Sequence, residues 1–115
     1  MVKINYIPDR GDIVWMNFSP QSGHEQAGDR PALVLSPNKY NQISGLILLC
    51  PITSKQKGYI FELPIDSGNN RGSILVDQIR SIDFGSRKLR FIEKADSILV
   101  KKVQAYLVNL IKEEL

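Results

Sequence analysis

Polar and charged side chains collect where predicted strands begin or end. Glu25 and Arg30 lie in the polar segment 22–30, directly ahead of an apolar run of strand length at 31–36. Other strand candidates are followed by a second set of polar residues: Thr53, Ser54, Lys55, Lys57, Asp77, Gln78 and Arg80. If these strand ends converge, they form one basic pocket that contains a carboxylate, on loops of the kind that usually carry function.

Such a set of residues suits the cleavage of RNA without a metal ion. RNA carries its own nucleophile, the 2′-hydroxyl. An enzyme must help to remove that proton, protonate the departing 5′-oxygen and stabilise the added negative charge on phosphorus. The guanidinium of Arg30 fits a phosphate in two-pronged geometry and stays charged because its pKa is so high. The hydroxyl of Thr53 can donate a hydrogen bond to a non-bridging oxygen.

Each of these residues also has a structural interpretation. Glu25 and Arg30 are spaced to form an ion pair within the loop, and Thr53 is a β-branched residue that suits a strand. Asp77 can accept hydrogen bonds from a neighbouring turn, and His24 is polar enough to be merely solvated. From the residues alone, the chain is therefore a soluble β-rich domain with a polar pocket of unassigned chemistry.

Several classes of site are excluded or left without support. No Gly-rich loop follows a strand and opens a helix, which argues against a P-loop or a Rossmann nucleotide site. One His and one Cys are too few for a structural zinc site, which needs four N or S ligands. One His leaves a Ser-His-Asp triad open, although no nucleophile-elbow motif supports it. We expect no metal and no cofactor, and Cys50, in an apolar run, is predicted to be a buried core thiol.

Length and composition indicate one ordinary globular domain. The 115 residues predict a single domain over 1–115, with 43% apolar and 23% charged residues. No segment approaches the ~20 apolar residues that span a bilayer, and the N-terminus lacks a signal-peptide pattern. We therefore expect a cytoplasmic protein that does not bind membranes. The net charge of +3 permits nucleic-acid binding through a local basic patch but does not demand it.

Short apolar runs between turn-forming residues predict a mainly β fold. The predicted strands cover residues 13–18, 31–36, 46–51, 59–63, 73–82 and 88–92, with one helical turn at 39–43. The run 46–51 is the most apolar and is expected to be central. Pro64 places the end of the fourth strand at a sheet edge, and the fifth strand is expected to bend near Asp77. This pattern predicts a small β-barrel or a strongly bent sheet.

The C-terminal segment changes to a helical period. Asp96 or Ser97 is expected to cap a helix that covers one face of the sheet. Its apolar stripe is predicted to comprise Leu99, Val103, Tyr106, Leu107, Leu110 and Ile111, and its outward face Lys101, Lys102, Asn109 and Lys112. Trp15 and this stripe are assigned to the core or to an interface.

Four sequence blocks together resemble the MazF/PemK family of toxin endoribonucleases. They are Arg-Gly-Asp-Ile-Val-Trp at 10–15, Gly-His-Glu-Gln-Ala-Gly-Asp-Arg-Pro-Ala-Leu-Val-Leu-Ser at 23–36, Pro-Ile-Thr-Ser at 51–54 and Val-Asp-Gln-Ile-Arg-Ser-Ile-Asp at 76–83. The blocks follow the order and spacing of the family over nearly the whole chain. The Glu-Gln-x-Gly-x-Arg-Pro block is specific, whereas the Arg-Gly-Asp turn alone is weak.

The resemblance implies a fold, an activity and partners. It implies a mainly β (α+β) SH3-like small barrel of the CcdB/PemK/MazF type with a C-terminal helix packed on the sheet. Such proteins are mRNA interferases, metal-independent toxins that cut single-stranded RNA at specific sequences and leave 2′,3′-cyclic phosphate and 5′-OH ends. They work as homodimers with RNA crossing the dimer interface. A cognate MazE-like antitoxin blocks that groove with an acidic, disordered C-terminal segment.

The resemblance also implies roles for individual residues. Arg30 would stabilise the transition state and take part in proton transfer, Thr53 would hold the scissile phosphate, and Glu25 would orient Arg30 or contact a base. The residues matched to RNA binding are His24, Gln26, Ser54, Lys55, Lys57, Asp77, Gln78 and Arg80.

One departure from the family pattern affects two of these assignments. Some plasmid-borne relatives pair such a histidine with an Arg-x-Asp motif, but this chain has Leu75 where that arginine would stand. His24 and Asp77 are therefore assigned to binding. Two alternatives to an endoribonuclease share the fold: a gyrase poison like CcdB, and a non-catalytic module that binds RNA or protein.

Overall fold

The structure, a computed structural model, describes residues 6–18 and 28–113, and the chain forms seven strands and two helices within them. The strands are β1 (Asp12–Asn17), β2 (Asp29–Val34), β3 (Leu46–Thr53), β4 (Glu62–Asp66), β5 (Arg71–Leu75), β6 (Arg80–Asp83) and β7 (Arg90–Lys94). The helices are α1 (Asn38–Ser44) and α2 (Ser97–Lys112), and single 3₁₀ turns cover Val76–Gln78 and Phe84–Ser86. Among the described residues, neither α1 nor α2 has the length and hydropathy of a membrane-spanning helix.

All strand pairs are antiparallel, and β3 is the centre of the sheet. The strand order is β4-β5-β3-β2-β1-β7, and β6 pairs with β3 beside β5. The first half of β3 pairs with β6 and its last two residues pair with β5. β5 and β6 therefore pair with different parts of β3, and the chain passes from one to the other at the 3₁₀ turn Val76–Gln78. The sequence predicted a bend at this point. The sheet curls into a half-barrel, and the predicted mainly β class with a central third strand is confirmed.

Two apolar clusters lie on the two faces of the sheet. Because side chains alternate along a strand, Cys50 and Ile52 point to one face of β3 while Ile47 and Leu49 point to the other. We call the first the helix-side cluster, since α2 packs on it; its other members include Ile13, Leu33, Ile74, Val100 and Val103. We call the second the opposite-face cluster; it comprises Val14, Met16, Phe18, Ala32, Val34, Ile47, Leu49 and Ile82.

Helix α2 begins and packs largely as its sequence period predicts. The side chain of Asp96 accepts a hydrogen bond of 3.0 Å from the backbone N–H of Ile98 and so caps the helix. Val103 is fully buried, as the period predicts. Of the two alternatives given for the stripe, Ile111 does not fit the core, because its side chain is 78% exposed in this chain. It lies in the last turn, about 80° around the helix from Val103 at 3.6 residues per turn.

The fourth strand begins later than its sequence predicts. The carboxylate of Glu62 accepts hydrogen bonds from the backbone N–H groups of Lys57 and Gly58 at 3.0 and 3.1 Å. These bonds hold a turn where the prediction had a strand, so pairing starts only at Glu62. Pro64 lies inside β4 and not at its end, and β4 is an edge strand, as a residue without an N–H requires.

The two ends of the strand order are joined by the side chain of Glu93. Its carboxylate accepts hydrogen bonds from the Oγ of Ser67 and the Nδ2 of Asn70, both at 2.6 Å. Ser67 and Asn70 belong to the turn between β4 and β5, whereas Glu93 lies on β7. The carboxylate therefore connects the opposite edges of the curled sheet through side chains in place of a backbone ladder.

The first residue of β1, Asp12, has a buried carboxylate that connects three parts of the chain. Asp12 is 5% exposed, and it accepts hydrogen bonds from the Tyr6 hydroxyl at 2.6 Å and from the Lys94 Nζ at 3.0 Å. The backbone N–H of Asp9 donates to the same side chain at 3.0 Å. The pKa of Tyr6 is raised above its usual value, mainly by burial and next by the hydrogen bond to Asp12. The phenol therefore keeps its proton and remains a donor.

We expect Asp12→Ala to lower the free energy of unfolding by about 2 kcal/mol, because it removes a charged acceptor with three donors. Asp66→Ala is the matched control: Asp66 pairs with Arg71 at 3.4 Å, but both side chains are mostly exposed. Its expected loss is below about 0.5 kcal/mol. Urea unfolding followed by circular dichroism measures both, and equal losses would contradict the role given to Asp12.

Candidate active site at the ends of β2 and β3

Three of the predicted site residues fall outside the described part of the chain. His24, Glu25 and Gln26 belong to 19–27, between the two described ranges. The other predicted residues can be placed on β2, β3, β6 and the turns between them. Of the three residues predicted to be catalytic, Arg30 and Thr53 lie in the described part of the chain.

The pairing register brings Arg30 and Thr53 to the same end of the same face. Ala32 of β2 lies opposite Pro51 of β3, and Leu33 lies opposite Cys50. Continuing this antiparallel register by two residues sets Arg30 opposite Thr53. Since alternate residues share a face, both side chains lie on the side of the opposite-face cluster, just beyond its last members. Two polar residues that are distant in sequence are thus neighbours in the fold.

Thr53 is held between two chain segments. Its side chain is 7% exposed, and its Oγ1 accepts a hydrogen bond of 3.3 Å from the backbone N–H of Lys55. On β5, Ser73 lies directly opposite Thr53, and the preceding residue is Gly72. A Cβ on Gly72 would lie 1.8 Å from the carbonyl oxygen of Thr53, and Gly72 has a φ of 146°. Only glycine lets β5 approach the Thr53 backbone this closely.

The hydroxyl of Ser73 stands out beside Thr53. It is buried, and its Oγ has no hydrogen-bond partner among the described residues. An unpaired buried hydroxyl is destabilising, because its hydrogen bonds to water are lost and not replaced. Gly72 and Ser73 were both missed by sequence analysis, although a glycine inside a strand pattern is a known sign of close backbone approach.

A second guanidinium lies on the same face as Arg30. Arg80 of β6 lies opposite Leu49 of β3, which belongs to the opposite-face cluster. Its guanidinium carbon sits 5.6 Å from the centre of the Phe18 ring, and its Nη1 donates to the Phe18 carbonyl at 3.4 Å. Phe18 is fully buried, so this contact fixes the arginine against the core.

The loop after Thr53 carries exposed cations. Ser54, Lys55 and Lys57 are all exposed, and Glu62 fixes the backbone of this loop as described above. The Nε2 of Gln56 donates to the Gly72 carbonyl at 3.4 Å, which ties the loop back to β5. The positive side chains therefore stand on a fixed loop that starts at the candidate site.

Asp77 and Gln78 lie in the 3₁₀ turn that joins β5 to β6. Asp77 is exposed. The burial of Cys50 raises the pKa of its thiol to about 12, and the negative charge of Asp77 is a second cause of this rise. Cys50 is therefore a protonated, buried thiol, as its sequence context predicts, and it can donate to the Val76 carbonyl at 3.7 Å. Across 6–18 and 28–113, no group of three His, Cys, Asp or Glu residues is arranged to hold a metal ion.

Comparison with known proteins gives a family and a fold. The family described as PemK-like, MazF-like toxin of type II toxin-antitoxin system matches residues 9–111. The endoribonuclease toxin MazF of Escherichia coli (strain K12) is 46% identical over 82 residues, which cover 71% of this chain and 74% of that protein.

Solved structures match more of the chain. The crystal structure of MazF (Form-I) from Deinococcus radiodurans has a TM-score of 0.88 and 44% identity, over 94% of this chain and 99% of that one. A crystal structure of MazE-MazF (Form-II) from the same organism has a TM-score of 0.83 and 44% identity, over 94% and 98%. The curled antiparallel half-barrel with its C-terminal helix is therefore the fold of these proteins.

We expect Gly72→Ala to lower the free energy of unfolding by about 3 kcal/mol or more, because the new Cβ meets the Thr53 backbone and the φ is strained. Gly68→Ala is the matched control: Gly68 also has a positive φ, of 89°, but its Cβ would meet nothing within 4 Å. Its expected loss is about 1 kcal/mol. Thermal and urea unfolding measure both variants, and similar losses would refute the close approach at Gly72.

Proposed function

Because the chain belongs to the PemK-like, MazF-like family of type II toxin-antitoxin toxins and is an endoribonuclease toxin, we propose that it cleaves single-stranded RNA, including mRNA, at specific sequences without a metal ion. The family predicted from the sequence blocks is thereby confirmed. The observation that carries the proposal is the common face of Arg30 and Thr53 at adjoining strand ends. The toxin domain spans 1–115 and acts in the cytoplasm, where its cleavage of mRNA inhibits translation and growth.

The proposed reaction uses the nucleophile that RNA supplies. The 2′-oxygen attacks phosphorus, the bond from phosphorus to the 5′-oxygen breaks, and the products carry a 2′,3′-cyclic phosphate and a 5′-OH. One proton leaves the 2′-hydroxyl and one is delivered to the 5′-oxygen. Arg30 stabilises the additional negative charge through two-pronged hydrogen bonds to the non-bridging oxygens and takes part in proton transfer. Glu25 is proposed to orient Arg30 or to contact a base.

The geometry supports a shared phosphate between the two residues. Neighbouring strands lie ~4.8 Å apart, so side chains opposite each other on one face can reach one phosphate group. Thr53 is proposed to hold this phosphate through its hydroxyl. Arg80, fixed on Phe18, supplies a second cation on the same face. The remaining proposed RNA contacts are His24, Gln26, Ser54, Lys55, Lys57, Asp77 and Gln78.

A protein partner and a second copy of the chain complete the proposal. The similar structure of MazE-MazF from Deinococcus radiodurans holds such a toxin with MazE. We propose that this chain binds a cognate MazE-like antitoxin whose acidic, disordered C-terminal segment folds onto the basic face. The net charge of +3 and the cations around Thr53 favour an acidic ligand. The active form is proposed to be a homodimer with RNA crossing its interface.

We expect the purified protein to cut a long single-stranded RNA in excess EDTA into discrete fragments with 2′,3′-cyclic phosphate and 5′-OH ends. Arg30→Ala should slow cleavage by at least about 100-fold, because it removes the main stabiliser of the transition-state charge. End mapping and single-turnover rates measure this, and circular dichroism verifies folding. Intact RNA with well-folded wild-type protein would refute the proposed function, whereas an unchanged rate for Arg30→Ala would refute only the role of Arg30.

Removing hydroxyls from two facing residues tests the role of Thr53 separately. We expect Thr53→Val to slow cleavage by about 100-fold, since the variant keeps the branched shape but loses the donor. Ser73→Ala is the matched control from the opposite strand. It should leave the rate within about twofold and raise the free energy of unfolding by about 1 kcal/mol, because it removes an unpartnered buried hydroxyl. Equal rates for the two variants would contradict a role for the Thr53 hydroxyl.

A further inference from the structure

A second pocket lies on the other face of the sheet from Arg30. It has a volume of about 630 Å³ and is lined by Trp15, Asn17, Asp29, Ser86, Arg87 and Lys88. This volume is within the ~300–1,000 Å³ typical of small-molecule sites. Trp15 is half-buried, so its indole is only partly covered by the fold. The pocket is not used by the reaction proposed above.

One cation lies over the indole of Trp15, and two others line the same pocket. Arg90 of β7 lies opposite Trp15 in the ladder, and its guanidinium carbon is 6.0 Å from the ring centre. Arg87 donates from its Nη1 to the Asn17 carbonyl at 3.0 Å, which holds this arginine at the pocket wall, and Lys88 is exposed beside it. Asp29 is the one carboxylate among the pocket's described lining residues, so positive charge is in excess there.

The carboxylate of Asp29 is already engaged. Its Oδ1 accepts a hydrogen bond of 2.8 Å from the Nδ2 of Asn17. This bond holds the carboxylate of Asp29 against Asn17 in the lining of the pocket. The pocket therefore contains the indole of Trp15 together with the cations Arg87 and Lys88, and Arg90 lies over the ring beside this lining.

An aromatic ring flanked by cations favours a single-stranded nucleic acid over an acidic peptide. Every nucleobase has a π face that can stack on an indole, and its phosphates can pair with the flanking arginines and lysine. An acidic side chain can pair with the cations, but it has no aromatic π face that could stack on the indole. The chemistry of the pocket thus matches alternating bases and phosphates.

The pocket and Arg30 are near each other along the β1–β2 ladder but lie on opposite faces of the sheet. Trp15 is the neighbour on β1 of Met16, and Met16 lies opposite Arg30. Adjacent residues of a strand are ~3.3 Å apart, and their side chains point to opposite faces. The single layer of the sheet therefore separates Trp15 from Arg30, and the distance between them along the β1–β2 ladder is short.

We propose that Trp15, with Arg87, Lys88 and Arg90, forms a stacking subsite for an unpaired nucleobase of the RNA substrate. This inference rests on the proposed function, because it adds a contact to the same substrate. The subsite increases affinity for long single strands and is not part of bond cleavage. It acts on substrate binding and leaves the chemical step unchanged.

A fluorescence titration tests the stacking directly, since Trp15 is the chain's one tryptophan. The probe is a single-stranded DNA oligonucleotide, which lacks the 2′-hydroxyl and cannot be cut by the proposed route. We expect saturable quenching by this oligonucleotide and no comparable quenching by poly-L-glutamate. Absence of quenching would overturn the proposal. Equal quenching by poly-L-glutamate would also overturn it and would indicate a site for acidic peptides.

Cleavage kinetics on long RNA test the consequence. We expect Trp15→Ala to raise KM at least about fivefold with kcat within twofold, and Trp15→Phe to restore most of the affinity. Arg90→Gln keeps the indole and should raise KM in the same direction. Tyr40→Ala, at an aromatic residue of α1 that is 43% exposed, is the control and should leave KM unchanged. Equal KM values for Trp15→Ala and Tyr40→Ala would overturn the proposal.

These two experiments separate this inference from the proposed function. If wild-type protein fails to cut RNA, the proposed function fails, and the oligonucleotide titration still decides whether Trp15 stacks on a base. If the wild type cuts RNA but quenching and the KM effect are both absent, the stacking subsite alone is wrong.

Discussion

The backbone ladder of β3 is the constraint on which the rest of the structure depends. This strand pairs with β2 along one edge and with β6 and then β5 along the other, so it fixes the relative positions of four strands. On the second edge, the partner of β3 changes from β6 to β5, and this change curls the sheet. Thr53 is the last residue of β3 that pairs with β5. Because an antiparallel ladder satisfies backbone donors and acceptors only in register, a shift of β3 would leave buried polar groups unpaired. The position of Thr53 is therefore set by the ladders of a mostly buried strand.

Burial on both faces makes this register hard to change. Cys50 and Ile52 point into the helix-side cluster, while Ile47 and Leu49 point into the opposite-face cluster. In a strand with one solvent-exposed face, a shift of one residue moves one set of apolar side chains into solvent. In β3, the same shift would move the side chains of each apolar cluster into the other cluster, where their shapes do not fit. The site gains its rigidity from this double packing. The polar site residues Arg30 and Thr53 lie at the ends of strands whose positions are already fixed by packing in the core.

Local patterns in the sequence predict much of this arrangement, and contacts between distant segments account for most of what they miss. The central strand, the bend near Asp77 and the cap at Asp96 follow from apolar runs and turn-forming residues. The late start of β4 depends on Glu62 accepting two backbone N–H groups, and nothing in the apolar pattern of 59–63 signals this. The need for Gly72 arises only when β5 pairs with β3, because the contact is with the Thr53 carbonyl.

The candidate site also depends on contacts between distant segments, which local sequence patterns do not reveal. The same contacts determine which residues of β1 lie on each face of the sheet. The motif match selects Arg30 and Thr53, but their common face follows from the register of β2 on β3. The sequence assigns Trp15 to the core or to an interface, because a large aromatic in an apolar strand is normally buried. Its pairing with Arg90, at the edge of the sheet, gives it a cation in place of a complete apolar shell. Alternation along β1 then separates Met16, which packs beside Arg30, from Trp15 on the other face. A fixed ladder register is thus enough to assign neighbouring residues of one strand to two chemically different surfaces.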